Sequence, residues 1–121
     1  MFERDIYLQI RENLVQARDV RSQQVARRVA SEPFSHQRSL VGKFSVADPL
    51  VREVVKEVCG SGLFRRLRIL VHPLVNVDGG LTEVEERVFL ELARSAGARK
   101  VVVWTGKELS DEAVVHRLNG P

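Results

Sequence analysis

The spacing of apolar residues is that of strands through residue 30 and switches between helix and strand beyond it, and that change restricts the folds open to the chain. Through residue 30 the pattern is extended: Ile6, Leu8 and Ile10 alternate with Tyr7 and Gln9. Leu14, Val15, Ala17 and Val20 resume the extended pattern after Glu12-Asn13, and Val25 to Ala30 follow after Arg21-Ser22-Gln23-Gln24. A period of two puts successive side chains on opposite faces of a strand, and the polar breaks carry turn chemistry. Three antiparallel strands are expected. Ser31-Glu32-Pro33 ends the third, because proline lacks a ladder donor. Residues 35–43 are polar, show no period and read as a loop.

Beyond that loop the period becomes helical. Asp48-Pro49 offers an N-cap followed by proline at the first helical position, and Leu50, Val51, Val54, Val55 and Val58 recur at helical spacing up to Gly60. Leu67 to Val71 is a short apolar run stopped by Pro73, as suits a buried strand, with a turn at Asp78-Gly79-Gly80. Thr82 and Glu85 form a capping box, with the apolar stripe Val84, Val88, Leu92, Ala93 and Ala96 behind it and Gly97 at the expected left-handed C-cap. Val101 to Trp104 reads as the next strand. Ser110, with Asp111 and Glu112 in the first turn, opens a last helix closed by Asn119-Gly120-Pro121.

The order β-β-β-α-β-α-β-α, with right-handed crossovers, predicts an α/β fold with a mixed five-stranded sheet. That arrangement is shared by ribonuclease H-like nucleases and by each lobe of the actin and sugar-kinase ATPase class, so fold alone leaves function open, and residues 1–121 are expected to form a single domain. With 121 residues, 44% of them hydrophobic, the chain has enough apolar material for one core. One cysteine, Cys59, excludes an intramolecular disulfide and points to a reducing compartment, so a cytoplasmic location is expected. A charged N-terminus, Met1-Phe2-Glu3-Arg4-Asp5, and the lack of a long apolar run argue against export and against a membrane span. The net charge of +3 keeps nucleic acid in view as a partner.

Four segments resemble the bacterial actin-like MreB family. Leu81-Thr82-Glu83-Val84-Glu85-Glu86-Arg87 is similar to its I-T-E-V-E-R-R, and Ala96-Gly97-Ala98-Arg99-Lys100-Val101 to the A-G-A-R-x-V that follows. Lys43-Phe44-Ser45-Val46-Ala47-Asp48 and Ser31-Glu32-Pro33 resemble its A-D-F-x-V-T-E and N-E-P-S. The resemblance implies one ribonuclease H-like lobe of a protein that, when two-lobed, clamps ATP and polymerises in filaments beneath the membrane. The departures fall on the chemistry. The family's first hairpin reads D-L-G-T-A-N-T, whereas here it reads Gln9-Ile10-Arg11-Glu12-Asn13, without the phosphate-approaching glycine or the metal-binding aspartate. Glu85 matches the family's water-orienting glutamate but also fits the capping box, and with no opposite lobe the cap is the favoured reading. Val77 to Val84 also resembles the second phosphate loop of the actin class, D-I-G-G-G-T-T-E-V. The helical period of residues 84–96 favours the first register.

No catalytic, cofactor-binding or metal-binding residues are assigned. A two-metal nuclease needs a carboxylate on the first strand, where Leu8, Gln9 and Ile10 stand, and Asp5 and Asp19 read as solvated strand ends. His36, His72 and His116 read as loop or surface histidines, and Cys59 as a buried thiol. Arg18, Arg21, Arg27, Arg28, Arg65, Arg66 and Arg68 could hold phosphates but read as solvated faces and ion pairs. The expected function is a non-enzymatic protein-interaction domain without a cofactor, acting on an actin-like filament, a cell-shape component or a second copy of itself. A basic nucleic-acid-binding domain is the alternative. The expected homodimer uses the last helix, whose Ala113, Val114, Val115 and Leu118 exceed one narrow stripe.

Overall fold

The computed structural model describes residues 3–35, 40–60, 66–74 and 80–120. The elements run β1 (Arg4–Arg11), β2 (Leu14–Asp19), β3 (Val25–Val29), α1 (Phe44–Cys59), β4 (Leu67–Pro73), α2 (Glu83–Ser95), β5 (Lys100–Val103) and α3 (Asp111–Leu118). One five-stranded sheet has the order β3-β2-β1-β4-β5. Strands β1, β2 and β3 form an antiparallel meander, while β1 pairs in parallel with β4 and β4 with β5. The expected element order and mixed sheet are both present.

The two-residue alternation in β1 divides the molecule into two cores. Ile6, Leu8 and Ile10 face α1 and α2 and join Val15, Ala17, Val51, Val54, Val58, Ile69, Val71, Phe89 and Leu92 in the larger one. Tyr7 points the other way and meets Leu70, Val114 and Leu118 under α3. Helices on both faces leave the central strands without solvent contact, so β1 is buried from Asp5 to Ile10. Glu12-Asn13 closes the β1–β2 hairpin, with Asn13 at φ 54° in a left-handed conformation that asparagine tolerates.

Several details differ from the sequence reading. Helix α1 starts at Phe44, after Lys43, and Pro49 lies inside it; Asp48 forms an i,i+4 pair with Arg52 rather than an N-cap. A proline this near the N-terminus removes only the N–H that would bond back to Ser45. Burial of Ala47 in line with Val51, Val54 and Val58 carries the helix one turn further. In α2, Val84 is 75% exposed and Phe89 takes its place in the core. At 100° per residue Val84 stands roughly 130° from the centre of the Phe89, Leu92, Ala93 and Ala96 face. Asp5 and Asp19, read as solvated, are 9% and 0% exposed. Asp19 accepts from Arg4 and from the backbone of Arg21 and Ser22, whereas Asp5 pairs with Arg68.

The capping box of α2 is complete: Thr82 Oγ1 accepts from Glu85 N at 3.1 Å, and Glu85 Oε1 accepts from Thr82 N at 3.0 Å. Replacing Thr82 by alanine is expected to lower stability by about 1 kcal/mol, read as a shift of the denaturant midpoint at unchanged slope.

Candidate functional site

The sheet face beneath α3 carries the polar residues of β1. Asp5, Tyr7 and Gln9 share that face, and the ladder sets Gln9 beside Gln16 of β2 and His72 of β4, with Tyr7 beside Arg18 and Leu70. This lies near the C-terminal ends of the parallel strands, at the strand from which the sheet grows both ways, a usual place for a site in an open α/β sheet. The segment joining β5 to α3 crosses over it.

Tyr7 and His72 fix that crossing. Their rings stack with centroids 5.8 Å apart, the Tyr7 hydroxyl lies 2.6 Å from His72 Nδ1, and His72 Nε2 lies 3.0 Å from the Gly106 carbonyl. A carbonyl only accepts, so Nε2 carries the proton, Nδ1 accepts from Tyr7, and the Tyr7 oxygen accepts in turn from Leu109 N at 3.1 Å. Every polar atom in this Leu109, Tyr7, His72 and Gly106 relay has a partner with the imidazole neutral. Burial pushes the His72 pKa below its ordinary value, although the Gly106 carbonyl partly opposes this. Trp104 braces the same segment: its Nε1 donates to the Lys107 carbonyl, and the Arg117 guanidinium lies 3.6 Å from its ring centroid. Gly106 must stay bare, since a Cβ there would come within 2.6 Å of that ring.

At Gln9 the polar contacts loosen. Gln9 donates to Glu108 and accepts from Gln16, both at a long 3.4 Å. Arg18 makes two bonds to Asp111 Oδ1, at 3.0 and 2.7 Å, and so joins β2 to the start of α3. Arg68 donates to both Asp5 oxygens at 2.7 Å, to Asn119 Oδ1 and to the Leu118 carbonyl, tying the end of α3 to β1.

The structure separates the remaining sequence candidates. His72, read as a loop or surface histidine, is a buried strand residue; His116 is exposed on α3, and His36 and Arg65 lie outside the described residues. Among the described residues no group of three or more His, Cys, Asp or Glu side chains is placed to share a metal ion. Cys59 is buried, and burial pushes its thiol up to about 11, which leaves little thiolate at neutral pH. The β1–β2 hairpin is bound to its own chain: Asn13 Oδ1 accepts from the amides of Phe34 and Ser35, and Asn13 N donates to Ser35 Oγ. Glu85 lies within the capping box, while Asp78 and Gly79 of the competing register lie outside the described residues. No helix of the described residues is long and apolar enough to cross a membrane.

Over 124 residues the chain is 32% identical to a protein of Escherichia coli (strain K12) named "Uncharacterized protein YjaA", an alignment covering 93% of this chain and 95% of the relative. The chain belongs to the YjaA family. No family model matches the sequence.

In this YjaA-family chain α3 covers β1, β4 and β5 and reaches β2 through Arg18, and among the described residues no helix packs on the same face of β3. Val25 and Val29 are 51% and 70% exposed there, with Arg27 exposed between them and Leu14, Gln16 and Arg18 partly covered on β2. The third strand itself was legible in the sequence, but the side of the sheet that would remain uncovered was not. On α3, Val114 and Leu118 pack on the sheet, while Val115 is half-buried beside Val20.

The neutral His72 makes stability depend on pH. Its folded pKa lies below the ordinary 6.5, so unfolded chains bind the extra proton first. This contribution is fully present above pH 6.5 and is lost as the pH falls from there through the folded value. Chemical denaturation between pH 7.5 and 5 should show wild type losing stability faster than His72→Gln, by at most about 1.4 kcal/mol per pH unit.

Proposed function

We propose that this YjaA-family chain is a non-enzymatic protein-interaction domain on a ribonuclease H-like sheet, a one-lobed relative of MreB. The order β3-β2-β1-β4-β5, with β1 antiparallel to β2 and parallel to β4, supports the comparison with such a lobe. The observation that carries the reading is the uneven cover of the sheet. Helices bury both faces of β1 and β4, while the outer face of β2 and β3 keeps two half-open or more exposed valines on an edge strand. Exposed β-branched residues beside an unpaired edge favour association with another polypeptide. The partner class that the MreB resemblance implies is an actin-like filament or a cell-shape component, met in the cytoplasm.

The hairpin geometry supports the absence of nucleotide chemistry from this reading. Glu12-Asn13 is a two-residue connection whose Asn13 N–H and side chain hold the 34–35 segment, so these groups are committed to the fold rather than to phosphate. A second reading, nucleic-acid binding, draws on Arg27, exposed on that open face, on Arg11, exposed at the end of β1 beside Leu14, and on the net charge of +3. The valines beside Arg27 favour a protein partner.

Affinity purification from the cells that make the protein, repeated with a Val25→Asp, Val29→Asp double variant of unchanged circular dichroism, tests the reading. A specific protein partner should be retained by wild type and lost by the variant, with little dependence on salt. Calorimetric titration with Mg-ATP should give no saturable binding. The reading falls if the retained material is nucleic acid with a steep salt dependence, if the variant keeps every partner, or if Mg-ATP binds saturably.

A further inference from the structure

We infer that the open edge of β3 accepts an extended segment of a partner protein as a sixth strand, and that this segment carries a carboxylate flanked by apolar residues. The inference rests on the interaction-domain reading above and names the chemistry of the partner.

The backbone bonds at the ends of the β2–β3 ladder fix which groups of β3 face outward. Ala30 N donates to Asn13 O at 2.9 Å, and Asp19 N donates to Gln24 O at 3.0 Å. Antiparallel pairs alternate between bonded and non-bonded positions, so residues 24, 26, 28 and 30 turn their amides and carbonyls toward β2. Val25, Arg27 and Val29 turn theirs to the open edge. Among the described residues no strand lies beyond β3. The same three residues place their side chains on the outer sheet face, since Ala26 between them is buried in the core under α1. One row therefore presents main-chain donors and acceptors together with a valine, arginine, valine pattern.

Charge selects the occupant. On the outer face β2 offers Leu14, Gln16 and Arg18 to its neighbour, none of them a carboxylate, and Arg18 is already held by Asp111. Arg27 is exposed beside Gln16. A second copy of this chain is a poor occupant: antiparallel overlap of the whole strand sets Arg27 against Arg27, and directly opposed like charges are unfavourable. An incoming residue opposite Arg27 should be aspartate or glutamate, with apolar neighbours two positions either side to cover Val25 and Val29. On the other face Arg28 is held by Glu57 and also donates to the Arg27 carbonyl at 2.9 Å. A sixth strand replaces that last bond with one from its own N–H.

The direction of the Arg27 N–H supplies a selective variant. It is not used within the sheet, so Arg27→Pro removes a donor to the incoming strand, together with the Arg27 charge, while leaving the β2–β3 ladder in place. Arg27→Glu tests the charge independently should the proline variant fail to fold. The probe is a fluorescein-labelled peptide with Val-Thr-Glu-Thr-Val at its centre, titrated by anisotropy at 150 mM salt against the same peptide with lysine for glutamate. Wild type is expected to bind the glutamate peptide at least tenfold more tightly than the lysine peptide. Arg27→Pro should weaken that binding at least tenfold at near-unchanged melting temperature, and Arg27→Glu should reverse the preference. Equal affinity for the two peptides, no binding of either, or insensitivity to both variants overturns the inference. So does a concentration-dependent dimer that Arg27→Pro dissolves, since the edge would then belong to a second copy. If the peptide fails while the Val25, Val29 double variant still loses the native partner, the edge inference falls and the interaction-domain reading stands. If both fail, both fall.

Discussion

The burial of β1 on both faces governs the rest of this structure. The strand contributes Ile6, Leu8 and Ile10 to one side and Asp5, Tyr7 and Gln9 to the other, with every residue from Asp5 to Ile10 buried. Its apolar face finds an ordinary partner in α1 and α2. Its polar face is costly to cover unless each polar group is matched. Neighbouring strands supply the matches: Arg68 for Asp5, His72 for Tyr7 and Gln16 for Gln9.

That requirement explains where α3 sits and how the chain reaches it. Only Val114 and Leu118 of α3 are fully buried, a small apolar contact for a helix. The polar matches compensate by fixing the helix at both ends, Arg18 with Asp111 at its start and Arg68 with Asn119 and the Leu118 carbonyl at its finish. The Tyr7, His72 and Gly106 chain holds the approach from β5, and bare Gly106 lets Trp104 lie flat against it. Being short, α3 covers the centre of the sheet but not its far side. The open outer face of β3 is thus a consequence of helix length as well as of strand composition.

Parts of this were legible from local signals and parts were not. The capping box at Thr82 and Glu85 and the N-cap at Ser110 were readable because each is complete within four residues. The start of α1 was not, because burial of Ala47 outweighed the local preference of Asp48-Pro49 for a helix start. Asp5 and Asp19 read as solvated because their arginine partners lie 63 and 15 residues away. His72 gave no local sign of its lock, since Tyr7 lies 65 residues from it. A signal was present in β1 all the same: Asp5, Tyr7 and Gln9 at a spacing of two, opposite an apolar face, mark a strand whose second side must be lined with polar partners.

The sequence by itself determined the element types, the antiparallel opening and parallel continuation, and part of the larger core, because periodicity, caps and turn residues act over a few positions. The tertiary structure alone decided which face of the sheet each helix covers, which arginine pairs with which carboxylate, and that His72 is neutral beneath a loop rather than exposed. It also decided which groups of β3 are left at an open edge. These depend on contacts between segments far apart in the chain, where distance and burial, rather than local propensity, set the energy of each charge and hydrogen bond.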